Sequence, residues 1–261
     1  MRRHHAPPDL PNKRLAIICL DNDNINLLED DEKGRELLSK TYGSLYILNL
    51  DEYSNLSDAG LYLLDDTYLS NGTLLTISPY DTNSYSEIAN ARDNFSIQKA
   101  EYFFEFCQKL GALYVEMKDI QIKQSEDEAQ ATIKGQGYGV SGDASYITKK
   151  SNELSSKLER KLKLVRCTPN LDSAKKLMLS HNLNGDAIFR ELFAMRLHEL
   201  AESGTGIAEY ERKLTLVKTY EQSLDYALNL NFPSFAIGGG YAHARRERYE
   251  CISTIRVTFS P

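Results

Sequence analysis

Short apolar runs dominate the first eighty residues and predict buried strands. They cover residues 14–20, 45–48 and 74–77, and each is followed by polar or turn-forming residues. A short apolar run between turn signals is typical of a strand that is buried on both faces. The charged segment 28–40 predicts a helix, and residues 61–64 fit either a helix or a strand. This part of the chain therefore predicts an α/β layer with short buried strands.

A helical period follows from Ser86 to Leu110. Apolar residues recur there three or four positions apart, which is the spacing of one helix face. Gly111 comes next and suits the C′ position after a helix, where the backbone commonly takes a left-handed conformation. We expect this helix to pack its aromatic side chains into a core.

Alternation replaces the helical period beyond residue 112. Successive side chains of a strand point to opposite faces, so alternation predicts strands with one apolar face. The glycine-rich segment 129–148 predicts a bent strand pair, and residues 169–203 predict two helices. The alternating segments are 113–123, 158–166, 209–218, 221–232 and 249–259.

The last two alternating segments place aliphatic side chains on their apolar phase. We expect these side chains to be buried in the core of the C-terminal sheet. They are Leu228, Leu230, Ile255 and Val257.

We predict an α+β fold with two regions. An α/β region is expected over residues 13–111, and an antiparallel sheet region over residues 112–261, with the helical insert at about 169–203. Residues 1–12 lack an apolar segment and predict a disordered arm, not a targeting signal. No Pro/Ser-rich linker separates the two regions, so one continuous domain fits the sequence equally well.

Composition and charge narrow the class of protein. Hydrophobic residues make up 41% of the chain, which is enough to bury a sizeable core. The formal net charge of -6 argues against general affinity for nucleic-acid phosphates. The four cysteines are far apart and lack zinc-ligand spacing, which favours reduced core thiols and a cytoplasmic location. No apolar run is long enough to cross a bilayer as a helix.

One acidic turn directly follows the first apolar run. It consists of Asp21, Asn22, Asp23 and Asn24. Carboxylates at the carboxyl end of a parallel strand face the crevice where α/β proteins bind ligands. Asp21 and Asp23 could share Mg²⁺, a cation that prefers oxygen ligands. Asp and Asn are also ordinary in turns and helix caps, and the sequence favours this second interpretation.

Residues 16–24 resemble the opening of the NYN/PIN-like nuclease family, a strand followed by an Asp-x-x-Asn-type motif. They are also similar to the first Asp-x-Asp motif of haloacid dehalogenase-type phosphatases. Either resemblance implies Mg-dependent hydrolysis of phosphate esters that uses Asp21 and Asp23. Both families need further acidic or Lys residues, and Asp65 and Asp66 are the candidates in this chain.

A second candidate site lies between the last two predicted strands. Flexible glycine amides next to guanidinium groups suit a phosphate or an acidic partner surface. A solvated hairpin loop, whose charges discourage edge pairing, is the alternative. The candidate binding residues are Gly239, Gly240, Arg245, Arg246 and Arg248.

Two classes of function follow from these patterns. The favoured hypothesis is a soluble, non-enzymatic protein without a cofactor or a transmembrane helix. It would bind a protein partner or form homo-oligomers through its amphipathic antiparallel strands, and its furthest extension is a membrane-perturbing assembly. The alternative is a Mg-dependent nuclease or phosphatase built on Asp21 and Asp23. The first hypothesis is favoured because the chain carries no second catalytic motif, such as a nucleophile elbow or a Walker loop.

Overall fold

The fold is α+β, with helices and two mostly antiparallel sheets, as predicted. The computed structural model describes residues 15–40, 44–52, 61–65, 68–124, 143–201, 209–217, 222–230, 232–233, 236–237 and 249–259. Contacts divide the chain into two compact units. The first comprises residues 1–94 and 220–247, and the second comprises residues 95–219 and 248–261.

The described part of the chain contains nine strands and seven helices. The strands are β1 (Ala16–Leu20), β2 (Leu45–Asn49), β3 (Tyr62–Leu63), β4 (Thr73–Ile77), β5 (Ser84–Glu87), β6 (Ala112–Gln124), β7 (Arg160–Lys163), β8 (Glu209–Val217) and β9 (Tyr249–Phe259). The helices are α1 (Asn22–Asp30), α2 (Glu32–Lys40), α3 (Ala91–Lys109), α4 (Asp143–Leu158), α5 (Leu171–Ser180), α6 (Ala187–Ala201) and α7 (Gln222–Leu228).

A five-stranded sheet forms the centre of the first unit, in the order β2-β1-β4-β5-β3. The interior strand β1 pairs parallel to β2 and antiparallel to β4, and all five of its residues are buried. This burial explains why its sequence is a continuous apolar run. Strand β5 escapes prediction because Ser84 and Ser86 give it a polar sequence, although both side chains are buried.

Two short helices replace the single helix predicted over residues 28–40. They meet at Asp31, whose carboxylate accepts a hydrogen bond from Gly34 N–H at 2.7 Å. A Cβ at Gly34 would lie 2.3 Å from the carbonyl oxygen of Leu28, so only glycine allows this close approach of the two helices. The tight junction explains why one apolar period does not run through the whole segment.

The predicted strand over residues 221–232 is wrong, because this segment forms helix α7 in the first unit. Leu224, Ala227 and Leu228 are buried at helical spacing, and α7 packs against β4 and β1. The Leu and Tyr residues of this segment alternate, but every second one of them is also four positions from the next. The short pattern therefore fits both the period of a strand and that of a helix. Leu228 and Leu230 are buried as predicted, but not in the C-terminal sheet.

The four-stranded sheet of the second unit is antiparallel, in the order β7-β6-β9-β8. Its strands confirm the predictions for 113–123, 209–218 and 249–259, and β7 occupies the middle of the segment predicted over 158–166. Ile255 and Val257 are buried, as predicted. Helices α5 and α6 pack against each other and form the predicted helical pair.

The other corrections in the second unit concern helix boundaries. Asp143–Leu158 is a helix, so the end of the strand pair predicted over 129–148 is wrong, and residues 129–142 lie outside the described residues. Leu154 and Leu158, one helical turn apart, are both buried. Gly111, which follows α3 after the single residue Leu110, has a φ of 79°, as expected of a C′ glycine.

Three of the four cysteines, Cys19, Cys107 and Cys251, are buried, and Cys167 is exposed. Burial raises the pKa of the Cys19 thiol to about 12, so this side chain is a neutral packing group. Within the described ranges, no helix is both long enough and apolar enough to cross a membrane.

Candidate functional site

The acidic turn lies at the carboxyl end of β1, where Asp21 is the N-cap residue of α1. Asp21 Oδ1 accepts hydrogen bonds from Asn24 N–H at 2.9 Å and from Asn24 Nδ2 at 2.8 Å. The bonds from the Asn24 backbone and side chain hold the pKa of the Asp21 carboxyl below its ordinary value, because they stabilise the charged form. Asp21 thus satisfies a free N–H group of the helix start.

Side chains from the neighbouring strands surround this cap. Asn22 N–H donates to Asp51 Oδ2 at 2.9 Å, and Asn49 Nδ2 donates to Asn22 Oδ1 at 2.9 Å. Asp21 N–H donates to Asn71 Oδ1 at 3.2 Å, which connects the turn to the start of β4. The parallel strands β1 and β2 therefore bring two carboxylates, those of Asp21 and Asp51, to the first turn of one helix.

One oxygen of each carboxylate, Asp21 Oδ1 and Asp51 Oδ2, accepts hydrogen bonds from N–H groups at the start of α1, which favours a structural cap over an open metal site. Asp23, the other acidic residue of the turn, is exposed. Within the described part of the chain, no group of three or more His, Cys, Asp or Glu side chains could hold a metal ion. The cluster fixes the beginning of α1 and the loop after β2.

Asp65 is engaged elsewhere in the first unit. Its Oδ2 accepts hydrogen bonds from Asn94 Nδ2 at 2.8 Å and from Asn90 Nδ2 at 3.4 Å, near the start of α3. Asp66 lies outside the described residues. Asp65 therefore does not join Asp21 in a carboxylate cluster of the kind that the two family resemblances require.

The predicted glycine- and arginine-rich site also lies outside the described residues. This applies to Gly239, Gly240, Arg245, Arg246 and Arg248. The hypothesis that these residues bind an anion or an acidic partner stays a prediction.

A different basic surface, at the end of the second sheet, consists entirely of described residues. We call it the basic edge and define it as Lys157, Arg160, Lys161, Lys163 and Arg166. All five side chains are exposed, and Glu159 is the one acidic residue among residues 157–166. Strand β7 lies within this segment, and all four of its residues are exposed.

Strand β7 pairs with β6 and is the last strand of the sheet, so its other side faces no described strand. Leu164 N–H donates to the Leu113 carbonyl oxygen at 2.9 Å, which extends the β6 pairing beyond β7. In an antiparallel pair, the N–H and C=O groups of one residue point to the same side, and those of the next residue point to the opposite side. The backbone groups of Leu162 therefore face β6, and those of Lys161 and Lys163 face outward.

Two ion pairs attach the basic edge to its surroundings. Lys161 Nζ lies 2.7 Å from Glu116 Oε1, and Arg160 lies 3.9 Å from Glu101. The hydrogen bond between Lys161 and Glu116 raises the pKa of the lysine and lowers the pKa of the glutamate. No described carboxylate lies within ion-pair distance of Lys163, whose charge is available to a partner.

The basic edge and Asp51 were not among the predicted sites, although part of the signal is visible in the sequence. Five of the ten residues in 157–166 are basic, and Asp51 follows a strand as Asp21 does. The sequence does not show where these residues lie in the fold. Both the end of a sheet and the meeting of two strand ends depend on long-range strand pairing.

No protein-family model, no curated protein and no solved structure matches this chain. Function is therefore inferred from the chemistry and geometry of the sites themselves.

Proposed function

We propose that this is a non-enzymatic protein-binding protein that captures an extended segment of another protein by adding it as a strand to the outer side of β7. The observation that carries the proposal is the exposed end strand, whose outward N–H and C=O groups at Lys161 and Lys163 meet no described strand. Such groups form a template for another chain. Val165, which lies just beyond the strand, can also make apolar contact with a partner because its side chain is 85% exposed.

A peptide strand suits this edge better than two other partners. Nucleic acid offers phosphates to the basic side chains but does not pair with alternating backbone groups, and the chain as a whole carries a net charge of -6. A second copy that paired β7 with β7 would bring basic residues opposite basic residues. Like charges directly opposite each other destabilise a strand pair.

Lys163→Pro tests the backbone contribution. Proline removes the outward N–H at this position and spares the pairing with β6, which uses the backbone groups of Leu162 and Leu164. We expect binding of a labelled neutral peptide, Thr-Val-Gln-Val-Gln-Val-Thr, to weaken by about ten-fold or more in this variant. Fluorescence anisotropy measures the affinity, and circular dichroism verifies that the fold is retained.

Lys163→Thr is the matched control, because threonine also lacks the lysine charge but keeps the N–H group. We expect this variant to bind the neutral peptide about as well as the unmodified protein does. Equal binding by the Pro and Thr variants, or no binding by the unmodified protein, would remove strand addition at β7 from consideration.

A second candidate function, Mg-dependent phosphate-ester hydrolysis, is favoured by one observation. Asp21 and Asp51 come together at the carboxyl edge of the parallel pair β1–β2, with Asp23 in the same helical turn. Open α/β sheets bind ligands at such edges. A cation there would compete with the N–H groups that already hold one oxygen of each carboxylate, Asp21 Oδ1 and Asp51 Oδ2.

Calorimetric titration of Mg²⁺ and Mn²⁺ separates the two functions. The hydrolase requires a saturable site that weakens in Asp23→Asn and Asp51→Asn but not in Asp30→Asn, an exposed acidic residue at the far end of α1. The protein-binding function requires none, and Asp23→Asn should then be nearly silent, because Asn also suits turns and caps. We expect no saturable heat, and a micromolar site sensitive to Asp23→Asn would favour the hydrolase instead.

A further inference from the structure

The outer face of the second sheet carries a row of charges that alternate in sign across all four strands. Glu211 of β8 lies opposite Arg256 of β9, Arg256 lies opposite Glu116 of β6, and Glu116 lies opposite Lys161 of β7. Side chains directly opposite each other on neighbouring strands share one face of the sheet. The row therefore reads negative, positive, negative and positive, and it ends with a positive charge at the open side.

Contacts confirm that these charges interact. Lys161 and Glu116 form an ion pair at 2.7 Å, and Arg256 pairs with Glu209, which precedes Glu211 on the same face. Glu116 is buried between its neighbours, and Lys161, Lys118 and Arg256 together keep its pKa below the ordinary value. Each interior charge of the row thus has an opposite charge beside it, and Lys161, which pairs with Glu116 on its inner side, is the last charge before the open side of the sheet.

The neighbouring row on the same face lacks this compensation at β7. Lys163 lies opposite Tyr114, which lies opposite Thr258. The nearest strand thus offers Lys163 a phenol where it offers Lys161 a carboxylate. An incoming strand that placed carboxylates opposite both lysines would continue the first row and neutralise the second.

We infer that the partner segment is acidic, with two carboxylate side chains two residues apart that lie opposite Lys161 and Lys163. This inference rests on the proposed strand addition and specifies the chemistry of the added strand. Two residues apart is the spacing of one strand face, so a Glu-x-Glu or Asp-x-Asp segment in an extended conformation meets the requirement. Apolar or β-branched residues between the acids suit the strand conformation.

A pair of peptides tests the charge requirement directly. We compare labelled Thr-Val-Glu-Val-Glu-Val-Thr with its glutamine counterpart, Thr-Val-Gln-Val-Gln-Val-Thr, by fluorescence anisotropy. We expect the acidic peptide to bind about five-fold more tightly at low salt, as two cross-strand ion pairs would give. The difference should shrink as the salt concentration rises, because exposed charges are screened.

Two charge reversals assign the preference to a position. Lys163→Glu should remove or invert the preference for the acidic peptide. Lys213→Glu changes the net charge equally but lies on β8, at the opposite end of the sheet, and should leave the preference intact. A preference that survives Lys163→Glu would overturn the inference, because it would then come from the general field of the protein.

The possible results distinguish a failure of the acidic requirement from a failure of strand addition itself. If both peptides bind equally and Lys163→Pro weakens both, the acidic requirement is wrong and strand addition stands. If neither peptide binds, the proposed function and the inference both fail. Displacement of the bound acidic peptide by a deoxythymidine oligonucleotide, with binding unaffected by Lys163→Pro, would identify the edge as a polyanion-binding surface and overturn both. A dimer in sedimentation that Lys163→Pro dissociates would assign the edge to a second copy and also overturn both.

Discussion

Replacement of Lys99 by Met is expected to lower the free energy of unfolding by about 3–5 kcal/mol. Lys99 lies on α3 and is only 5% exposed. Its Nζ donates to Asp186 Oδ2 at 2.7 Å and to the Thr215 carbonyl oxygen at 2.7 Å. Without the ammonium group, the largely buried carboxylate of Asp186 loses its counter-charge and the Thr215 carbonyl loses a donor, which costs far more than an exposed ion pair contributes. Urea unfolding followed by far-UV circular dichroism measures the loss.

The same helix supplies a matched control. Lys109 forms an exposed ion pair with Glu105 at 3.1 Å, one helical turn away, and Lys109→Met should cost well under about 1 kcal/mol. Met and Lys have similar helix propensities, so the two variants differ mainly in burial. Asp186→Asn added to Lys99→Met should recover part of the loss, because the buried charge is then gone. A Lys99→Met variant as stable as Lys109→Met would contradict the buried ion pair.

The sequence predicts best where the alternation and the residue types agree. Strand β9 alternates over its whole length, with Cys251, Ile255 and Phe259 on the buried phase, and its Ile, Val and Thr residues also favour a strand. Helix α7 is the opposite case, because a short segment satisfies both periods and tertiary packing on β4 and β1 decides between them. Strand β5 shows a third case, in which neighbouring strands bury a polar segment.

The candidate sites divide in the same way. Asp21 as a helix cap is a local feature, and an Asp followed three residues later by Asn can be recognised as one in the sequence. The charge row through Glu116 and Lys161 is not local, because its residues come from four strands distant in sequence. Lys99 is similar, since nothing near it in α3 shows that Asp186 will lie 2.7 Å away. Such sites cannot be predicted until the long-range contacts of the fold are known.

Leu228→Ala is the second change with a large expected effect, a loss of about 2–5 kcal/mol in the free energy of unfolding. Leu228 is 0% exposed, and α7 packs it in the first unit with β4 and β1 nearby, so truncation leaves a cavity in a closed core. Leu197→Ala on α6 removes the same atoms from a side chain that is 50% exposed and should cost much less.

Ala227→Asp tests the helix itself. In a strand, Ala227 and Leu228 would point to opposite faces, and an aspartate at residue 227 would reach solvent beside a one-faced sheet. In α7 both residues are buried at once, so the aspartate would place an unpaired carboxylate in the core and destabilise the protein by several kcal/mol at least. If Ala227→Asp leaves the free energy of unfolding unchanged while Leu228→Ala lowers it strongly, residues 221–232 form a strand and not a helix. Large losses in both variants are what the helix requires, because a strand with one apolar face would bury only one of these two consecutive side chains.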